Sequence, residues 1–225
     1  MHSTLVLSAA LLTSLLGYAR AQTLVNGQIF TNGLAIVDAP EPESPMHAGS
    51  VTQIAIDVSG DGKLDQSASI PGSDEATRFD SLEIYLVSYQ TKQNLTVSSG
   101  PGLLTQEQGS TVKHWNYNVS TCIPPGSYNL TFYEASHING QPYFSITPLP
   151  VIVMNDHQTG ACSNDTNQLQ AFPQKSSPYP QSPLLNGSAV STQAFATATG
   201  SNSATLAFAS PFGLTLLASL SLFLM

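Results

Sequence analysis

The run Asp57-Val58-Ser59-Gly60-Asp61-Gly62-Lys63-Leu64-Asp65 carries side-chain oxygens at its first, third, fifth and ninth places and a glycine at its sixth. That is the front half of an EF-hand-type calcium loop, in which hard oxygen ligands converge on one cation and the glycine permits a sharp turn. Asp57, Ser59, Asp61 and Asp65 are therefore the calcium candidates. The twelfth place, where such a loop needs a bidentate carboxylate, is Ala68, and the residues before the loop read as a strand instead of a helix. The run is accordingly expected to be a polar hairpin turned by Gly60 and Gly62, its aspartates solvated, with no metal or other cofactor bound.

Other residues capable of chemistry are dispersed. His47, His114, His137 and His157 lack the i, i+4 pairing of a helical zinc site. No Gly-x-Ser-x-Gly elbow is present, and there is no Cys-His pair with a free thiol, so nucleophilic catalysis has no foothold. Glu83 and Glu134 are a formal pair of carboxylates of the kind that flanks a glycosidic bond, but on strands they are expected to be outward or edge-facing charges. The chain is thus expected not to be an enzyme. Tyr85, Tyr89, Tyr117, Tyr133 and Tyr143 lie in or beside strand-like runs, where an exposed row could stack on sugar rings. Tyr133 shares a face with Asn129 and is the best single candidate for an exposed aromatic.

Cys122 and Cys162 are the only cysteines. In an oxidising compartment they are expected to form one disulfide, with a loop-closure contribution of roughly 3 to 4 kcal/mol. Five Asn-x-Ser/Thr sequons stand at Asn94, Asn118, Asn129, Asn164 and Asn186. Three of them can be tested against strand alternation, because a glycan must face solvent. Asn129 opposes Tyr128, Leu130 and Phe132; Asn118 opposes Trp115, Tyr117 and Val119; Asn94 opposes Leu95 and Val97. All three are expected to point outward.

Both ends of the chain suggest an export route. Residues 1–21 run from Met1 through an apolar stretch, Leu5 to Leu16, to the small residues Ala19 and Ala21, as a secretory leader does. Cleavage after Ala21 makes Gln22 the first mature residue, which excludes a copper site built on an N-terminal histidine. At the other end Gly200-Ser201-Asn202-Ser203-Ala204 precedes an uncharged tail from Phe212 to Met225, with no basic residue after it. That order fits a GPI-attachment signal better than a spanning helix. Asn202 is the preferred attachment residue, with Gly200 and Ser201 as alternatives, and residues 203–225 would be removed.

The elements that must position these groups are strands. Between Gly33 and Met154 short alternating runs are broken by Gly, Pro, Ser and Asp, with no sustained helical period. Seven strands are expected: Leu34 to Ala39, Ser50 to Val58, Phe79 to Ser88, Gln93 to Ser98, Ser110 to Val119, Ser127 to Ala135 and Pro142 to Met154. The fold class is therefore all-β, an immunoglobulin-like antiparallel sandwich of about seven strands over residues 22–162. Its expected core is Ile36, Ile54, Ile56, Leu82, Ile84, Leu86, Trp115, Tyr128, Leu130, Phe132, Phe144 and Ile146. Residues 163–202 lose the alternation and become rich in Ser, Thr, Pro and Gln, so a disordered stalk is expected there. Charged residues make up only 9% of the chain and the formal net charge is −8, which disfavours a nucleic-acid partner.

In layout the domain resembles the immunoglobulin-like N-terminal module of fungal Ser/Thr-rich, GPI-anchored cell-wall proteins, a family related to the yeast proteins needed for β-1,6-glucan assembly. The resemblance rests on Ile36-Val37-Asp38-Ala39-Pro40, Ala48-Gly49-Ser50 before the strand Val51 to Ile56, Leu82-Glu83-Ile84-Tyr85-Leu86, Pro124-Pro125-Gly126-Ser127-Tyr128-Asn129-Leu130 and Tyr143-Phe144-Ser145-Ile146. Where the family has a Trp near the end of the second strand, this chain has Asp57. The resemblance implies a non-catalytic cell-surface glycoprotein that helps organise or assemble the cell wall, held on the outer face of the membrane by a GPI lipid, with wall polysaccharide as partner. The alternative is a carbohydrate-binding surface module or adhesin, with calcium assisting.

Overall fold

The computed structural model describes residues 22–171, 182–185 and 192–193. The expected leader, the sequon at Asn186 and the attachment residues Gly200, Ser201 and Asn202 lie outside them. Among these residues eleven strands form two sheets. They are β1 (Gln22–Val25), β2 (Gln28–Phe30), β3 (Ile36–Ala39), β4 (Pro45–His47), β5 (Val51–Asp57), β6 (Arg78–Ser88), β7 (Gln93–Ser98), β8 (Val112–Asn118), β9 (Gly126–Ile138), β10 (Gln141–Met154) and β11 (Thr192–Gln193). One sheet has the order β11-β1-β2-β3-β5-β8, the other β4-β10-β9-β6-β7. The seven expected strands are β3, β5 and β8 in the first and β10, β9, β6 and β7 in the second, an all-β sandwich with immunoglobulin-like division of strands.

Local sequence explains the tight connections. Asn26-Gly27 and Asn139-Gly140 each adopt positive φ at both residues and close two-residue hairpins, β1 to β2 and β9 to β10. Asn-Gly suits this because the turn needs two left-handed residues, which asparagine tolerates and glycine adopts freely. The disulfide expected between Cys122 and Cys162 is formed, with Cα atoms 5.0 Å apart, tying the β8–β9 connection to the chain beyond β10.

Facing side chains of the two sheets make the core, among them Ile54 and Ile56 from β5, Leu82, Ile84 and Leu86 from β6, and Tyr128, Leu130 and Phe132 from β9. Trp115 packs against this core half-buried. Ile36 is fully buried but belongs to a separate small cluster with Phe30 and Leu184. Phe144 and Ile146 correct the expected core: Phe144 is 41% exposed, and Ile146 pairs across with Tyr133 on the outer face. The phase of β10 is set by Leu149, Val151 and Val153, all buried, and a period of two then turns Ser145 and Thr147 inward and their apolar neighbours outward.

The inward strip of β9 also holds an ionisable group. Glu134 is only 1% exposed, and its two carboxylate oxygens accept the backbone N–H groups of Leu34 at 2.8 Å and Ala35 at 3.0 Å. This corrects the expected outward placement: the carboxylate crosses from one sheet to the β2–β3 connection of the other. Thr31 shapes that connection, its hydroxyl donating to the Ala35 carbonyl and accepting the Gly33 N–H. Gly33 is required by space, since a Cβ there would fall 2.4 Å from the carboxylate oxygens.

Burial raises the Glu134 pKa above the ordinary value of 4.5, opposed by the N–H groups of Leu34 and Ala35. A raised folded-state pKa means that this contribution to stability is complete below the unfolded value and is lost as pH rises through the folded one. Glu134→Gln sets an amide NH2 against a backbone N–H in either rotamer and should cost about 1 to 3 kcal/mol in denaturant titrations. The gap between wild type and E134Q should narrow from acid toward neutral pH; a gap that widens with pH would contradict this account.

Candidate functional site

Asp57 ends β5 and turns its carboxylate back on the loop that follows. Oδ1 accepts the Ser59 N–H at 2.6 Å and the Ser59 hydroxyl at 2.7 Å, while Oδ2 accepts the Asp61 N–H at 3.1 Å. Ser59 Oγ in turn accepts the Gly62 N–H at 3.1 Å. Gly60, Asp61 and Gly62 run through left-handed conformation at φ 63°, 58° and 76°, which exposes successive N–H groups for the side chains to bind. Asp57 and Ser59 are therefore committed to the backbone of the turn, whereas the Asp61 and Asp65 side chains face solvent. Among the described residues no group of three or more His, Cys, Asp or Glu side chains is placed to hold a metal ion.

The loop is braced by a segment far away in sequence. Leu184 packs with Phe30 and Ile36, and a Cβ on Gly60 would lie 2.9 Å from its side chain. Lys63 Nζ donates to the Leu184 carbonyl. Beside this contact opens a pocket of about 530 Å³ whose lining includes Leu34, Leu64, Ala68, Ile138 and Leu184, with Lys63, Asp65 and Glu75 as its charged groups. Such a mixture of apolar and charged lining suits a small amphipathic ligand.

Glu83 and Glu134 cannot flank one substrate. Glu134 pairs with Leu82, and Glu83 with Tyr133, so a one-residue step places the carboxylates on opposite faces of one sheet. Glu83 is on the outer face, where it accepts the Tyr85 hydroxyl at 2.9 Å and the Gly100 N–H at 3.0 Å. Burial first, and then the Glu83 bond, push the Tyr85 pKa up to about 12, so the phenol remains a donor over the physiological range. Tyr85 meets Tyr133 edge to face, ring centroids 5.4 Å apart, and Tyr133 lies 6.3 Å from Phe144 at a tilt of 39°. The three rings form one aromatic row. Tyr133 is half-buried, and Phe144 is the more exposed member.

The histidines serve separate surface contacts. His137 Nδ1 lies 2.7 Å from Asp80 Oδ2, whose other oxygen pairs with Arg78, and His114 Nδ1 lies 2.8 Å from Glu107 Oε2. His47 sits on β4 and His157 follows β10. Side-chain polarity forecast neither the Glu134 clamp nor Lys113, although alternation puts Glu134 in line with Phe132 and Lys113 in line with Trp115; Lys113 is buried on the core side of β8 with Nζ donating to the Gln106 and Glu107 carbonyls at 2.8 and 3.0 Å. Burial lowers the Lys113 pKa.

Two of the sequons differ from expectation. Asn118 and Asn164 are exposed. Asn94 and Asn129 do leave the outer face of their sheet, yet they are only 8% and 5% exposed. The chain after Cys162 lies along β7, so that Asn94 Nδ2 donates to the Gln168 carbonyl at 2.9 Å. Asn129 is held in the central strand between Val87 and Pro150. Outward orientation and exposure are different properties once another segment covers a face.

Comparison with protein-family models finds no match, and comparison with curated proteins finds none. Asp57→Ala should lower the melting temperature by the equivalent of about 1 to 3 kcal/mol, because it strips acceptors from buried loop donors. Asp57→Asn should recover part of the loss. Calcium at millimolar concentration should leave the melting temperature of the wild type unchanged in a thermal scan.

Proposed function

We propose that the chain is a non-catalytic, GPI-anchored cell-surface glycoprotein that contributes to cell-wall organisation or assembly. The observation that carries this reading is how the chain continues beyond the disulfide. Thr166 bridges to Leu95 on β7, the Leu184 side chain is buried with Phe30 and Ile36, and β11 adds to β1. A C-terminal segment bound along the body at successive points couples the sandwich to whatever holds its end. Such coupling suits a structural surface protein. The resemblance to fungal wall proteins and the expected leader and anchor point the same way.

The aromatic row Tyr85, Tyr133 and Phe144 favours the second reading, a surface module that binds carbohydrate. Ring faces and edges on a sheet surface stack on the apolar faces of sugars.

Phosphatidylinositol-specific phospholipase should release the protein from intact cells, and retention would contradict the anchor unless the lipid resists the enzyme. The released protein should not bind insoluble β-glucan or chitin saturably if its role is scaffolding. Saturable binding abolished by Phe144→Ala would instead establish the carbohydrate module. Leu184→Ala should cost about 2 to 5 kcal/mol of core packing and speed proteolytic loss of the C-terminal segment; unchanged cleavage would remove the coupling argument.

A further inference from the structure

We infer that the folded protein carries N-glycans at Asn118 and Asn164 and excludes them from Asn94 and Asn129, although all four stand in complete sequons. The inference rests on the secretory reading above. In the transfer, the asparagine Nδ2 attacks C1 of an oligosaccharide linked to a polyprenyl diphosphate. An N–C bond forms, the C1–O bond to the diphosphate breaks, Nδ2 gives up one proton and the lipid diphosphate leaves. The product keeps one Nδ2–H, so the Asn94 bond to the Gln168 carbonyl would not by itself prevent glycosylation. Space does. A sugar on Nδ2 needs an open path to solvent, and Asn94 and Asn129 are 8% and 5% exposed, with Oδ1 of both fully enclosed and without a hydrogen-bond partner.

Asn94 and Asn129 are near neighbours, since Val87 pairs with Asn94 on one side and with Asn129 on the other. A glycan on Asn94 would displace the run that pairs with β7 through the Thr96 N–H to Asp165 carbonyl bond and the Asn167 N–H to Asn94 carbonyl bond. One on Asn129 would have to emerge between Val87 and Pro150 in the middle of the sheet.

Asn118 and Asn164 are the reverse case. Asn118 is the exposed last residue of β8, the edge strand of its sheet. It pairs with Val51, which at 56% exposure is the kind of apolar surface that a first sugar residue covers. Asn164 is exposed two residues beyond Cys162, and Asn118 precedes Cys122 by four, so the two positions flank the disulfide. A glycan on Asn118 would guard the end of β8, which among the described residues is the edge of its sheet, against addition of another chain.

The test is a site map of the full chain secreted from a eukaryotic host, made by enzymatic deglycosylation in heavy-oxygen water and peptide mass spectrometry. Heavy-oxygen aspartate is expected at positions 118 and 164, and unmodified asparagine at 94 and 129. Asn118→Gln and Asn164→Gln should each remove one step of electrophoretic mobility. Asn94→Gln and Asn129→Gln should remove none, and the wild-type map decides the matter where a variant fails to fold. A glycan at 94 or 129 in folded, secreted protein, or an empty 118 or 164, would overturn the inference. A chain retained inside cells under its own residues 1–21 counts against the secretory reading alone, because the same map can be made with the full chain behind a heterologous leader.

Discussion

The two sheets are joined through a carboxylate as well as through oil-like packing. Glu134 stands on the inward strip of β9 in line with Phe132, and it answers the two N–H groups that Leu34 and Ala35 present from the opposite sheet. A buried carboxyl group is tolerated only when its hydrogen-bonding capacity is met, and two buried N–H groups outside any ladder need acceptors for the same reason. Each side therefore satisfies the other. The pairing fixes the distance between the sheets at this point, demands a residue without a side chain at Gly33, and sets where β3 begins.

From that fixed point the alternation of strands distributes everything else. With Glu134 inward, Tyr133 is outward, and the antiparallel register carries Glu83 and Ile146 to the same outer surface. The aromatic row and the clamp are thus consequences of one phase on β9. Two glutamates that look like a pair in sequence are separated by the thickness of the sheet. The Asp57 loop follows a related logic at the end of β5: its oxygens are used within hydrogen-bonding distance of their own backbone, and a left-handed run at Gly60 to Gly62 makes those N–H groups available.

The segment after Cys162 shows how a chain of unremarkable composition can still be part of a body. Ser, Thr, Asn and Gln dominate residues 163–170, yet their backbone supplies partners to the otherwise open edge of β7. Edge pairing draws on main-chain groups that every residue carries, so hydrophobic content does not forecast it. Leu184 does the rest with one side chain. Its burial beside Phe30 and Ile36 closes a small second cluster that β2 and β3 could not complete alone.

The seven expected strands, their approximate limits, the sandwich class and the Cys122–Cys162 pairing could be read from the amino-acid sequence, because alternation of period two and turn residues are local properties. The short β1–β2 hairpin was also signalled, by Asn26-Gly27, but its strands are too brief for alternation to speak. What only the tertiary structure decided were matters of which face and what covers it. Phe144 and Ile146 look like core in isolation, and their strand's phase was set instead by Leu149 and Val151 meeting the opposite sheet. Glu134 looks like a surface charge until the N–H groups of residues 99 and 100 positions earlier in the chain reach it. Asn94 and Asn129 point outward as alternation requires, and are buried nonetheless. Local sequence fixes the direction of a side chain relative to its strand; contacts between residues far apart in the chain decide what it meets there.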